Sequence, residues 1–261
     1  MSATPMDSLS DRPNLSVAFE IAASGWLAVR STEIGRLRSQ VASAYPGTLS
    51  AGLLKQSDTQ NLVGLLLLRQ LLDENRIATN DCEQWGLVAA ARMLNRHRVA
   101  ESLAKFRENG AWTTSPHLIP NSSLHTQSGI LSQALKLHGP NIGAGGMKGS
   151  EGDALWAAAT LLQGDQLPGV WIVLTGWEKE TLDDEDILCQ AAAFALRPLT
   201  KQSSLPRLTF EPGAFVPSGH HQPFTLESVI DSMRNGTGGC WNTGSALCTF
   251  EPIARSREAA A

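Results

Sequence analysis

The residues of this chain that are best equipped for chemistry crowd into one stretch, "HGPNIGAGGMKGSEGDALWAAATLLQGD", residues 138–165. Glycines at 143, 145, 146 and 149 permit positive φ and let an anion approach backbone N–H groups, which is the chemistry of a phosphate cradle. Two observations argue against that use. A dinucleotide turn must follow a strand, whereas the residues before this turn carry a helical pattern that stops at Gly139-Pro140-Asn141 and leaves barely five residues for a strand. The nucleotide-binding Lys pattern fails as well, because Met147 precedes Lys148 and Gly149 follows it.

Two side chains of the turn have further possibilities. Ser150 can cap the next helix, with Asp153 in its first turn, and this is the simpler reading. Alternatively its hydroxyl is a nucleophile at a helix start whose N–H groups stabilise an oxyanion. Lys148 reads as a solvated lysine or one paired with Glu151 or Asp153. Elsewhere, Cys82, Cys189, Cys240 and Cys248 form no C-x-x-C pair and read as buried small hydrophobes. Grouping them with His220 and His221 matches no zinc spacing, so no metal and no cofactor are expected. The knot "RMLNRHR", Arg92 to Arg98, reads as the wet face of a short helix.

These residues need a scaffold, and the hydrophobic periodicity supplies one. A strand is expected within "LSVAFEIAASGWLAV" (15–29), and a buried helix over 57–75 capped by Ser57 or Asp58. A strand in "QWGLVAAARML" (84–94) should precede a helix whose apolar face is Val99, Leu103 and Phe106. After a proline-marked loop come a helix around Ile130, Leu131, Ala134 and Leu135, the glycine turn, and an alanine-rich helix in "GDALWAAATLLQGD". "GVWIVLTGW" (169–177) is an apolar run of the kind that lies mid-sheet, covered on both faces. Strands in "ILCQAAAFAL", "PRLTFEP" and "SALCTFEPI" and a helix in "TLESVIDSM" complete an α/β layering with helices on both sheet faces.

Composition narrows the function. A net charge of −4 over 261 residues argues against a nucleic-acid grip. The longest apolar run, "LVGLLLL" (62–68), is far shorter than the ~20 residues of a membrane span. The first residues show no export signal, so a cytoplasmic location and a flexible N-terminus over 1–14 are expected.

Taken together, "SPHLIPNSSLHTQSGILSQALKLHGPN" (115–141), "GDALWAAATLLQGD" and "VWIVLTGWE" (170–178) resemble consecutive parts of the β-ketoacyl synthases of the thiolase superfamily. "QSDTQNLVGLLLLRQLLDENRI" and "QWGLVAAARM" are similar to an early helix and strand of that family. The resemblance covers roughly 15–215 and leaves 216–261 as a C-terminal helix and strand cap. It implies a thiolase-like layered α-β-α fold, present as a single, truncated half.

In the family, a short strand pairs across the dimer and leads to a nucleophilic cysteine at a sharp turn. Here "NIGAGG" has little intrinsic strand preference, which puts that strand in doubt. Lys148 occupies the position of the family nucleophile, flanked by Met147, Gly149 and Ser150, with no cysteine between Cys82 and Cys189. A lysine amine is protonated near neutral pH, and its acylation would leave a stable amide. The family's two histidines belong to its second half; His117, His125, His138, His220 and His221 lie in no comparable motif. The resemblance therefore implies a non-catalytic, chain-length-factor-like subunit with no catalytic residue of its own. Its partner would be a catalytic ketosynthase, in a heterodimer that also meets an acyl carrier protein. Bulky residues such as Trp156 would shape the acyl tunnel in polyketide, aryl polyene or fatty-acid-like synthesis. The alternatives are a degenerate acyltransferase or hydrolase acting on thioesters, and a homodimeric acyl-ligand-binding protein.

Overall fold

The computed structural model describes residues 16–113, 115–116, 118–164, 167–179, 186–201, 203–213 and 221–252. The elements in chain order are β1 (Val17–Arg30), α1 (Ile34–Ala44), α2 (Ala51–Gln56), α3 (Thr59–Glu74), β2 (Gly86–Arg92), α4 (Arg96–Asn109), α5 (Leu118–Asn121) and α6 (Leu124–Leu135). There follow β3 (Asn141–Gly146), α7 (Gly152–Gly164), β4 (Val170–Trp177), β5 (Leu188–Pro198), β6 (Arg207–Pro212), β7 (Gln222–Pro223), α8 (Leu226–Asn235), β8 (Gly239–Asn242) and β9 (Ala246–Glu251). The strands form one sheet in the order β3-β2-β4-β5-β1-β6-β9-β8-β7.

β3, β2 and β4 run parallel, and β5 is antiparallel to both β4 and β1. β2 and β4 are buried almost throughout, as uninterrupted apolar runs inside a parallel sheet must be. α1, α3 and α6 build the core on one face, where Leu62, Leu65 and Leu68 meet Trp171, Val173 and Ala193. α7 and α8 pack on the other face, where Leu155, Ala158 and Val229 meet Ile172, Leu174 and Phe194. The result is the expected α-β-α layering. α3 starts where the sequence places a cap: Asp58 accepts the Gln60 N–H at 2.8 Å.

Three differences from the sequence reading are informative. α1 and α2 lie in a stretch whose pattern is weak, because α1 buries only Leu37 and Val41. "NIGAGG" does form a strand: pairing with β2 along its whole length supplies what its glycines lack in intrinsic preference. The Pro140 carbonyl accepts from Leu87 N–H at 2.9 Å and the Gly146 carbonyl from Met93 N–H at 3.2 Å. Even-numbered residues between them therefore face β2, and the N–H and C=O groups of Asn141, Gly143 and Gly145 turn to the open edge. Third, the described residues after 216 extend the same sheet, since β9 pairs with β6 over Arg207–Pro212 and β8 with β9. The N-terminal residues 1–14, His117 and His220 lie outside the described residues.

Candidate functional site

The site is built where β3 ends and α7 begins. Gly145 (φ +88°), Gly146 (φ +112°) and Gly149 (φ +89°) adopt the left-handed backbone that makes the reversal possible. Met147, Lys148, Gly149 and Ser150 come together in this turn, with Met147 and Lys148 exposed. Ser150 does not cap α7. Its Oγ accepts from Met147 N–H at 3.2 Å and donates to the Met147 carbonyl at 2.6 Å, closing the turn on itself. A hydroxyl so engaged is poorly prepared for attack.

Glu151 is the residue that the sequence reading undervalued. It is 3% exposed, turned inward from Lys148, and its Oε2 accepts the Gly149 N–H at 2.7 Å. Its Oε1 lies 3.4 Å from the Leu226 N–H of α8 and 3.6 Å from Arg92 Nη1. Arg92, expected on the wet face of a helix, is instead the last residue of β2 and is also 3% exposed. Its Nη2 donates to the Trp177 carbonyl at 2.9 Å and to Glu227 Oε1 at 2.7 Å. A chain of buried polar groups stands behind it. The Arg92 carbonyl accepts from Gln60 Nε2 at 2.9 Å, Gln60 Oε1 accepts from Thr175 Oγ1 at 2.9 Å, and Thr175 Oγ1 accepts from Gln127 Nε2 at 2.8 Å. One signal for this network was present in the sequence: an arginine closing a run as apolar as "GLVAAA" has to be drawn in by partners.

Two cations, Arg92 and Lys148, and two carboxylates, Glu151 and Glu227, balance at this turn. Partial burial works to raise the Glu227 pKa, but the Arg92 hydrogen bond, its own backbone N–H and the charges of Arg92 and Lys148 outweigh it. The carboxyl therefore sits below its ordinary value of 4.5. A lowered folded pKa means that this stabilisation is complete above the unfolded value and is lost as pH falls through the folded one. Glu227→Gln is accordingly expected to flatten the decline in urea midpoint on the acid side of pH 4.5 while changing the midpoint at pH 7 modestly. A variant whose acid limb matches the parent's would contradict this arrangement.

Trp156 lies on α7 with its ring edge-to-face on Phe210, centroids 4.8 Å apart, and its Nε1 donating to Ser245 Oγ at 2.8 Å. It anchors α7 to β6 and to the turn between β8 and β9. His125 Nδ1 is 3.3 Å from Ser128 Oγ, His97 packs edge-on against Trp177, and His221 is exposed. Burial pushes the thiols of Cys82, Cys189 and Cys248 up, which keeps them protonated and poor nucleophiles. Among the described residues no group of three or more His, Cys, Asp or Glu side chains is placed to hold a metal ion, and no helix is long and apolar enough to cross a membrane.

No protein-family model matches the chain, and no curated protein matches it. Solved structures do. A chain of the complex between the ketosynthase ApeO and its chain length factor ApeC from Xenorhabdus doucetiae superposes with a TM-score of 0.54 at 14% identity, over 89% of this chain and 99% of that one. A chain of the AntDE:AntF complex, a type II polyketide synthase acyl carrier protein with its hexaketide-bound ketosynthase, gives 0.60 at 11% identity, over 92% and 100%. Ketosynthase twelve of the bacillaene polyketide synthase of Bacillus amyloliquefaciens gives 0.50 at 10% identity, over 83% of this chain and 50% of that one. The fold is thus the thiolase-like α-β-α fold of ketosynthases. It accounts for nearly the whole of the two shorter matched chains and half of the bacillaene ketosynthase.

Proposed function

We propose that this chain is a non-catalytic ketosynthase-like subunit that pairs with a catalytic β-ketoacyl synthase and helps to shape its acyl-chain tunnel. The setting would be polyketide, aryl polyene or fatty-acid-like synthesis in the cytoplasm, with an acyl carrier protein as a further partner. What supports this reading is the turn at Lys148: where the resemblance would put the family's cysteine, the chain carries an exposed lysine, on a backbone held by Glu151, which is itself paired with Arg92. On this reading the turn corresponds to the family's nucleophile site and lacks its nucleophile. The open edge of β3 supports a pairing role, because the outward N–H and C=O groups of Asn141, Gly143 and Gly145 offer a partner strand a ladder of hydrogen bonds. The engaged hydroxyl of Ser150 weighs against an acyltransferase of its own.

Co-expression with a catalytic ketosynthase of the source organism, followed by size-exclusion chromatography, is expected to give one peak containing both chains. Elution as two separate proteins, or as a dimer of this chain alone, would reject the pairing. Incubation of the purified chain with acyl thioesters should leave its intact mass unchanged, and an acyl adduct on Ser150 that turns over to released acid or a transferred acyl group would favour the enzymatic alternative.

A further inference from the structure

We propose that the open edge of β3 and the flank of α6 beside it form a groove for an extended strand with branched or aromatic side chains, a groove that disfavours a second copy of this chain. This rests on the subunit reading and names the kind of surface that the ketosynthase presents to it. α6 lies directly on β3. A Cβ added at Gly143 would collide with the Leu124 carbonyl and the His125 nitrogen, and Ser128 Oγ stands 3.5 Å from Asn141 Oδ1. The helix therefore runs antiparallel to the strand, its backbone seated over Gly143. On this face β3 offers no side chain beyond Asn141. On the other face Ile142 and Ala144 are partly buried against the core under α7.

Such a strand serves self-pairing poorly. Two copies related by a two-fold axis would join their edges antiparallel. With Asn141, Gly143 and Gly145 turned outward, the register centred on Gly143 sets glycine against glycine, Asn141 against Gly145 and Ile142 against Ala144. Cross-strand side-chain pairs are what stabilise a sheet beyond its backbone bonds, and here only Ile142 against Ala144 supplies one. Stable interfaces bury about 800 Å² per partner around a well-packed centre, whereas this centre would be bare. A strand with large side chains repairs the deficit, because an aromatic or branched residue beside a strand glycine covers the exposed backbone. Its residues opposite Asn141 and Gly143 would stand on the α6 face, against the flank of the helix. There α6 carries Gly129, one turn after the exposed His125. A glycine in mid-helix is less stable than an alanine, and no contact within the chain requires it: a Cβ at Gly129 meets nothing within 4 Å among the described residues. A partner side chain seated against this bare stretch of helix backbone gives the glycine its reason.

The test measures the affinity of the purified full chain for a purified catalytic ketosynthase of the source organism, beside sedimentation of this chain alone. Alone, the chain is expected to sediment as a monomer at ~10 μM. Gly129→Ala and Gly129→Leu should keep the parent's urea midpoint or raise it. Gly129→Leu should nevertheless weaken the ketosynthase complex by about ten-fold or more, with Gly129→Ala in between. Lys55→Leu, at an exposed position of α2, should leave the affinity unchanged. A benzophenone photo-crosslinker placed at the exposed position 125 should capture a ketosynthase strand with branched or aromatic residues. Parental affinity in a folded Gly129→Leu chain, or capture of a helix or a glycine-rich strand, overturns the groove and leaves the subunit reading standing. A lower urea midpoint in Gly129→Ala overturns it too, because the glycine would then serve the chain itself. A homodimer of this chain alone, or the absence of any complex with the ketosynthase, overturns both.

Discussion

Replacing Arg92 by Met is expected to remove ~3–5 kcal/mol of stability, the cost of breaking a buried ion pair from one side. Glu151 and Arg92 are both 3% exposed, and the Glu227 carboxylate accepts from the same guanidinium. Without the arginine, Glu151 retains the Gly149 and Leu226 N–H groups but loses its countercharge, in a place where water cannot replace it. The Trp177 carbonyl loses a donor as well. For a chain of this size the loss corresponds to a fall in melting temperature of roughly 8–15 °C, measurable by calorimetry or by fluorescence-monitored unfolding. Arg92→Met combined with Glu151→Gln and Glu227→Gln should recover part of it, since neutral amides need no countercharge. A single variant within about 1 kcal/mol of the parent would mean that the three side chains are not coupled as the structure shows. Recovery in the triple variant also separates a loss of charge balance from a general intolerance of the site to substitution.

This cluster marks the boundary of what the sequence reveals. The helix at 59–74 and the strand at 170–177 are legible because periodicity and unbroken apolar runs report burial directly. The layered α/β class follows from the alternation of such segments. Arg92 is not legible in this way, because its burial depends on two carboxylates 59 and 135 residues further along the chain. A local window groups it with Arg96 and Arg98, which belong to the next element. Ser150 misleads for a related reason: a serine before a helix usually caps it, but here a shorter route leads back to Met147, and Glu151 captures the turn's N–H group. The role proposed for position 148 rests on resemblance alone, since nothing in the residues "GGMKGS" distinguishes a nucleophile turn from any other glycine-rich bend.

The strand that feeds this turn makes the second large prediction. A Cβ added at Gly143 would lie 2.4 Å from the carbonyl carbon and oxygen of Leu124 and 2.5 Å from the nitrogen of His125. These are backbone atoms at the start of α6, so no side-chain rotation relieves the contact. Retreat in the sheet plane is blocked on one side by β2, which pairs with β3 from Asn141 to Gly146. Gly143→Val must therefore push α6 away from the sheet or peel β3 from β2, and a loss of about 3 kcal/mol or more is expected, at the upper end of overpacking costs. Gly149→Ala is the matched control: its added Cβ meets nothing within 4 Å, and the strain of a φ of +89° should cost only ~1–2 kcal/mol. The two variants also divide stability from pairing. If the open edge of β3 is the surface that a ketosynthase adds to, Gly143→Val should abolish co-elution even under conditions where the chain remains folded, because the displaced strand no longer presents its outward N–H and C=O groups in register. Gly149→Ala should retain it. Co-elution of a folded Gly143→Val chain at the parent's affinity would move the pairing surface elsewhere on the molecule.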